Sequence, residues 1–145
     1  MKIYNRIITL GLACIMLTAL AGCISNRAGQ LNITKEVAEK GSYYVERQPK
    51  DERKFDELIA ERMSARGYKA VSGSVRPANA TYVVTYTDRW MWDMRMYLYN
   101  LRIELHDANN GATVGFGESM QSSLAAMGKT FPQIVDTALD QLFKK

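Results

Sequence analysis

Residues 96–121 read MYLYNLRIELHDANNGATVGFGESMQ, and the alternation within them decides the fold. From about Met96 to Asp107, Tyr97, Tyr99, Leu101, Ile103 and Leu105 fall on one side. Asn100, Arg102, Glu104 and His106 fall on the other. A period of two that separates apolar from polar residues describes an antiparallel strand with one face buried and one wet. Asn109-Asn110-Gly111 then supplies residues that tolerate positive φ, as a hairpin turn needs. The returning stretch, Ala112 to Gln121, puts Ala112, Val114, Phe116 and Met120 on one side and Gly115, Gly117 and Ser119 on the other. Bare glycines on one strand face mark a bulge or a close approach by another backbone. Here they could receive the rings of Trp90 and Trp92.

The pattern extends outward in both directions. Upstream, Ala80–Arg89 (ATYVVTYTDR) is a strand, preceded by a turn at Arg76-Pro77-Ala78-Asn79. Ser42–Gln48 (SYYVERQ) is an earlier strand, rich in aromatic and β-branched residues and ended by Pro49. Between them, Phe55, Leu58, Ile59, Arg62 and Met63 form one stripe of a helix expected from about Asp51 to Arg66. Arg62 interrupts that stripe and is expected to snorkel at its edge. Gly67 stands where a C-terminal glycine cap belongs, and a short strand follows at Tyr68–Val71. Downstream, Met120–Lys129 reads as a linker into a last helix, Phe131 to about Phe143, which carries seven apolar residues at helical spacing. Thr130 and Gln133 have the spacing of a capping box. The expected fold class is α+β: a mostly antiparallel sheet of four to five strands with two helices packed on one face.

The amino terminus says where such a domain would live. Lys2 and Arg6 precede an apolar run, Ile7–Leu20, of 14 residues. That is short of the roughly 20 residues a spanning helix needs. A basic start, an apolar stretch and a small-residue cleavage site make a secretory signal. Leu20-Ala21-Gly22-Cys23 resembles the lipobox of bacterial lipoproteins. The resemblance implies a signal peptide over residues 1–22, cleavage before Cys23, lipid on the Cys23 thiol and an acylated new amino group. Two or more chains make such an anchor stable. Ile24 stands where aspartate favours retention in the inner membrane, so the expected location is the periplasmic face of the outer membrane. Residues 23–41 would be the lipidated N-terminus and a flexible tether, with Gln30–Val37 a candidate edge strand, and residues 42–145 the periplasmic domain.

Composition removes several function classes. Without residues 1–22 the chain keeps 17 basic against 15 acidic residues, a net charge of +2 in 123 residues. A near-neutral balance gives no electrostatic case for nucleic acid. Cys14 lies in the signal and Cys23 is the lipid site. No cysteine then remains for a disulfide, a metal or a nucleophile. No cofactor and no metal are expected.

From Tyr43 to Lys145 the chain resembles a class of small Gram-negative envelope lipoproteins with domains of unknown function. The resemblance is carried by Leu58–Tyr68 (LIAERMSARGY), Pro77–Tyr86 (PANATYVVTY), Leu101–Gly117 (LRIELHDANNGATVGFG) and the apolar C-terminal helix. A tryptophan usual in the second hairpin strand is replaced here by Val114-Gly115-Phe116. The class brings no catalytic residues to carry over.

The most unusual segment is Trp90-Met91-Trp92-Asp93-Met94-Arg95-Met96-Tyr97, which holds both tryptophans and three of the eight methionines. One reading is that it fills an end of the core. The other is an exposed contact surface, since tryptophan offers area with a polar handle and methionine adapts to irregular partners. In an extended segment without a bulge, Trp90, Trp92, Met94 and Met96 share a face, and these four are the candidate partner-binding residues. His106 beside Asp107 is expected to be a solvated strand-end residue, and Asp88, Asp93, Glu104 and Glu118 exposed charges. Tyr43, Tyr44, Tyr82, Tyr86, Tyr97 and Tyr99 are read as strand packing. The expected role is a non-enzymatic binding or scaffolding module for another envelope component. The alternative is a lipid- or lipopolysaccharide-handling protein using the same aromatic face. Homo-oligomerisation through sheet edges stays open.

Overall fold

The structure is a computed structural model, and it describes residues 39–143. The signal segment, Cys23 and the candidate strand Gln30–Val37 lie outside the described residues. The order of elements is β1 (Ser42–Glu46), α1 (Phe55–Ser64), β2 (Lys69–Gly73), β3 (Tyr82–Asp93), β4 (Arg95–Asp107), β5 (Thr113–Met120), α2 (Ser123–Gly128) and α3 (Phe131–Leu142).

The five strands form one sheet in the order β2-β1-β3-β4-β5. The fold is α+β, as the alternation predicts, but the sheet is evenly mixed rather than mostly antiparallel. β1 runs parallel to both β2 and β3, while β3, β4 and β5 make an antiparallel meander. The reason is the helical crossover. A strand that returns through a helix lies parallel to the one it left. Residues 74–81 then carry the chain past the start of β1, so β3 lies parallel on its other side.

Asp51 decides where α1 begins. Its carboxylate accepts from the backbone N–H of Arg53 at 2.8 Å and of Phe55 at 2.6 Å. Residues 51–54 are therefore a capping turn rather than the first helical turn, and the helix starts at Phe55, the first residue of its apolar stripe, four residues later than the expected start at about Asp51. Gly67, at φ +89°, ends the excursion in the left-handed region that glycine enters freely. α3 opens on the expected capping box, the Thr130 N–H donating to Gln133 Oε1 at 2.9 Å.

α1 packs on β1 and β2, α3 on β4 and β5, and the two helices touch each other. Between the helices and the sheet lies the core: Tyr43, Val45, Tyr82, Val84, Tyr86, Leu101, Ile103 and Leu105 from the strands, and Phe55, Ile59, Met63, Ile134, Val135, Ala138, Leu139 and Leu142 from the helices. Arg62 does not simply snorkel. Together with Arg66 it bridges to Asp136 of α3, locking the outer rims of the two helices together.

Two findings depart from simple alternation. Arg89 is paired with Asn100 but Trp90 with Leu98, so Tyr99 is an extra residue in β4. This β-bulge changes the phase of the strand. Leu98 is buried, whereas Tyr97 and Tyr99 are only half-buried. On β5, the glycine face turns to the core. A Cβ on Gly117 would stand 2.0 Å from the Ala138 carbonyl oxygen and 2.6 Å from the Leu142 nitrogen. The close approach is by the backbone of α3, not by the tryptophan rings. Finally, the stretch expected as a linker contains the short helix α2, capped by Ser122, whose Oγ accepts from the Ala125 N–H at 3.3 Å.

Candidate functional site

β3 and β4 are longer than the other strands, at 12 and 13 residues, and their far ends project as a hairpin past the helical layer. Cross-strand partners lie on one face. Trp90 faces Leu98 and Trp92 faces Met96, on the helix side of the sheet. The bulge at Tyr99 is what brings Leu98 and Met96 to that side.

The four candidate residues do not behave alike. Trp90 is half-buried and packs against the core. Its Nε1 donates to Asp88 Oδ2 at 2.6 Å, its ring meets Phe131 edge-on at 5.9 Å, and the Arg53 guanidinium lies 3.9 Å above it. Trp92, Met94 and Met96 are 70%, 95% and 55% exposed. Met94 forms the apex at φ +58°. That left-handed conformation is one a side chain such as methionine rarely adopts and one that glycine or asparagine would take more readily. Leu124 and Met127 on α2, the short helix that packs against β4, are also exposed apolar side chains. The sequence reading missed those two because SLAAMG is a single helical turn and a half, too short to show a period.

The polar groups elsewhere are committed to structure. His106 Nε2 is 3.0 Å from Thr85 Oγ1 and its Nδ1 3.4 Å from Thr113 Oγ1. Asp107 turns away to accept from the N–H groups of Asn109 and Asn110, so the two do not form a pair. Glu104 accepts from Arg102, and Glu118 from Asn100 Nδ2. A cleft of about 670 Å³ lies beyond the C-terminal ends of β1 and β2, lined by Glu46, Arg47, Gln48, Asp51 and Tyr86 among others. There the Tyr86 hydroxyl donates to Asp51 at 2.7 Å. Burial and that carboxylate push the Tyr86 hydroxyl far above its usual range. Burial works to raise Asp51, but the hydrogen bonds from Tyr86 and from the backbone prevail and hold its carboxyl low. A charged Asp51 and a neutral Tyr86 suit a helix cap, not proton transfer. Among the described residues no group of three or more histidine, cysteine, aspartate or glutamate side chains is placed to hold a metal. Nor is any helix among them long and apolar enough to cross a membrane.

No protein-family model and no curated protein matches the chain. Solved structures resemble it in fold. A variant PelC dodecamer from Paraburkholderia phytofirmans superposes with a TM-score of 0.56 at 17% identity, over 79% of this chain and 90% of that one. A PelC dodecamer from the same organism, in another crystal form, gives 0.55 at 15% identity, over 81% and 94%.

Proposed function

We propose that this chain is a periplasmic envelope protein, held at the outer membrane by lipid on Cys23, that acts as a non-enzymatic binding or scaffolding module. The observation that carries this reading is the β3–β4 hairpin tip. Trp92, Met94 and Met96 are presented to solvent at the end of an otherwise well-packed domain. Leaving large apolar side chains in water is unfavourable by about 25 cal/mol per Å², and a contiguous exposed group of them marks an interaction site. Trp90 braces the tip from below rather than making contact itself. Fold likeness to PelC, which is a dodecamer, supports a periplasmic role and self-association.

The experiment is in-cell crosslinking of the full chain with a photoreactive residue at position 92, followed by mass spectrometry. A discrete protein adduct supports the binding module. Adducts to lipid would replace it with the lipid- or lipopolysaccharide-handling reading. Absence of any adduct overturns both. Cys23→Ser, followed by membrane fractionation and acyl labelling, tests the anchor separately. The label should be lost and the protein should leave the membrane fraction.

A further inference from the structure

We propose that the hairpin tip binds a soft monovalent metal ion of the copper(I) class, held by the thioethers of Met94 and Met96 under the ring of Trp92. This goes beyond the reading of the tip as a contact surface and does not depend on it.

The tip offers sulfur as well as apolar area. Residues 91–96 read MWDMRM, with methionine at 91, 94 and 96. Leucine or valine would present a similar surface without a donor atom. A thioether is a polarisable donor that favours soft ions, and copper(I) is the ion that such ligands select. The expectation of no metal follows from the missing cysteines, and thioethers escape that test.

The register sorts the three methionines. Trp92 is the cross-strand partner of Met96, and Met91 that of Tyr97. Successive strand residues face opposite ways, so Trp92 and Met96 share one face and Met91 takes the other. Partners on one face stand about 5 Å apart at Cβ. Met94 is the apex between them, at φ +58° and 95% exposed. Its three rotatable bonds let the sulfur swing over the Trp92–Met96 face. A side chain kept where glycine fits the backbone better points to a task for that side chain.

The two tryptophans differ in what their rings already hold. Trp90 carries the Arg53 guanidinium 3.9 Å from its centroid. Trp92 is exposed and makes no such contact among the described residues, and indole is the ring that attracts cations best. Charge does not oppose the ion. Asp93 and Arg95, both exposed, are cross-strand partners beside the apex, so one negative and one positive group flank it. With neither imidazole nor thiolate, the site has little to offer zinc or copper(II). Its openness to water suits capture and release of an ion rather than a permanent structural role.

The test is titration of the full chain, extracted from membranes in detergent. The probes are silver nitrate, an air-stable soft monovalent ion, and copper(I) under anaerobic reducing conditions. Carbon-13 labels on the methionine methyl groups report each residue by NMR, and tryptophan emission reports the ring. The expected result is saturation at one equivalent. The methyl signals of Met94 and Met96 should move, while those of Met91, exposed Met127 and buried Met63 stay in place. Emission should be quenched, and Trp92→Phe should abolish the quenching. Met94→Leu with Met96→Leu should weaken binding by more than about tenfold, the cost of losing even an outer-shell partner of a metal ligand. Both positions are exposed, so the variant keeps its packing, and its cysteines are those of the parent, so any thiolate contribution cancels. Equal binding by that variant overturns the proposal, as does a Met91 shift that matches those of Met94 and Met96, an equal response to zinc, or absence of saturation. Crosslinking from position 92 is a separate readout. Its failure removes the contact reading and leaves the metal site standing, and a failed titration does the reverse.

Discussion

Trp90 and Trp92 stand two residues apart on the same face of one strand, yet only Trp90 lies beneath the start of α3. The helix begins at Phe131, whose ring meets Trp90 edge-on, whereas Trp92 is 70% exposed. The boundary between packed domain and projecting hairpin runs between these two side chains.

That boundary separates two substitutions. Trp90→Ala removes a half-buried ring, its hydrogen bond to Asp88 and its stacking with Arg53. It should lower stability by about 2 kcal/mol, less than full burial of a tryptophan would imply. Trp92→Ala should stay within about 0.5 kcal/mol of the parent. Urea unfolding of the two variants compares them directly, and equal losses would mean that Trp92 is packed after all.

Met94→Gly should stabilise the isolated domain. The left-handed backbone at the apex disfavours a side chain by about 1 kcal/mol, and glycine removes that strain. The same change should weaken tip contacts. A higher unfolding midpoint with reduced crosslinking from position 92 is the expected combination.

Gly117→Ala should be far more damaging than an alanine in a strand ordinarily is. The new methyl group would meet the backbone of α3 at Ala138 and Leu142, and helix backbone cannot step aside as a side chain can. A loss of about 3 kcal/mol or more is expected, read as a collapse of the thermal transition or failure to accumulate.

The clamp between α1 and α3 should respond to acid. Hydrogen bonds from Arg62 and then Arg66, with their charges, hold the Asp136 carboxyl below its usual value of 3.8, against a smaller opposing effect of burial. Its contribution is therefore present above the ordinary carboxylate range and is lost as pH falls through the lowered value. Asp136→Asn should be destabilised relative to the parent at pH 7, and the two should converge near pH 2. A constant difference across that range would show that the carboxylate charge is not what holds the helices.

Much of this architecture was legible because it rests on local rules. Alternation in Leu101–Leu105, the Asn-Asn-Gly turn, Gly67 and the Thr130–Gln133 box each act within a few residues. The candidate site was legible in part. Composition singled out Trp90 to Met96, but one inserted residue, Tyr99, re-phased β4 and moved Leu98 to the core in place of Tyr97 and Tyr99. A bulge leaves no mark in a string of apolar and polar letters when aromatic residues stand on both faces. Trp90's retreat depends on where α3 starts, 41 positions later, and that is a tertiary fact. The parallel pairing of β1 with β3 was hidden for the same reason, since either side of β1 could have received the next strand.

The placement of β1 between β2 and β3 also governs the order in which the domain can assemble. Among the described elements β1 is the first to leave the ribosome, yet it becomes an interior strand whose two neighbours come later in the chain. The βαβ unit that ends at Gly73 is only a two-stranded ribbon under one helix, with one edge of β1 still unpaired. Tyr43 and Val45 keep an uncovered flank until Tyr82–Val84 arrive beside them. The meander that supplies those residues has shorter-range pairings and forms sooner once made. Folding of this domain is thus deferred toward the completion of its own C-terminal half.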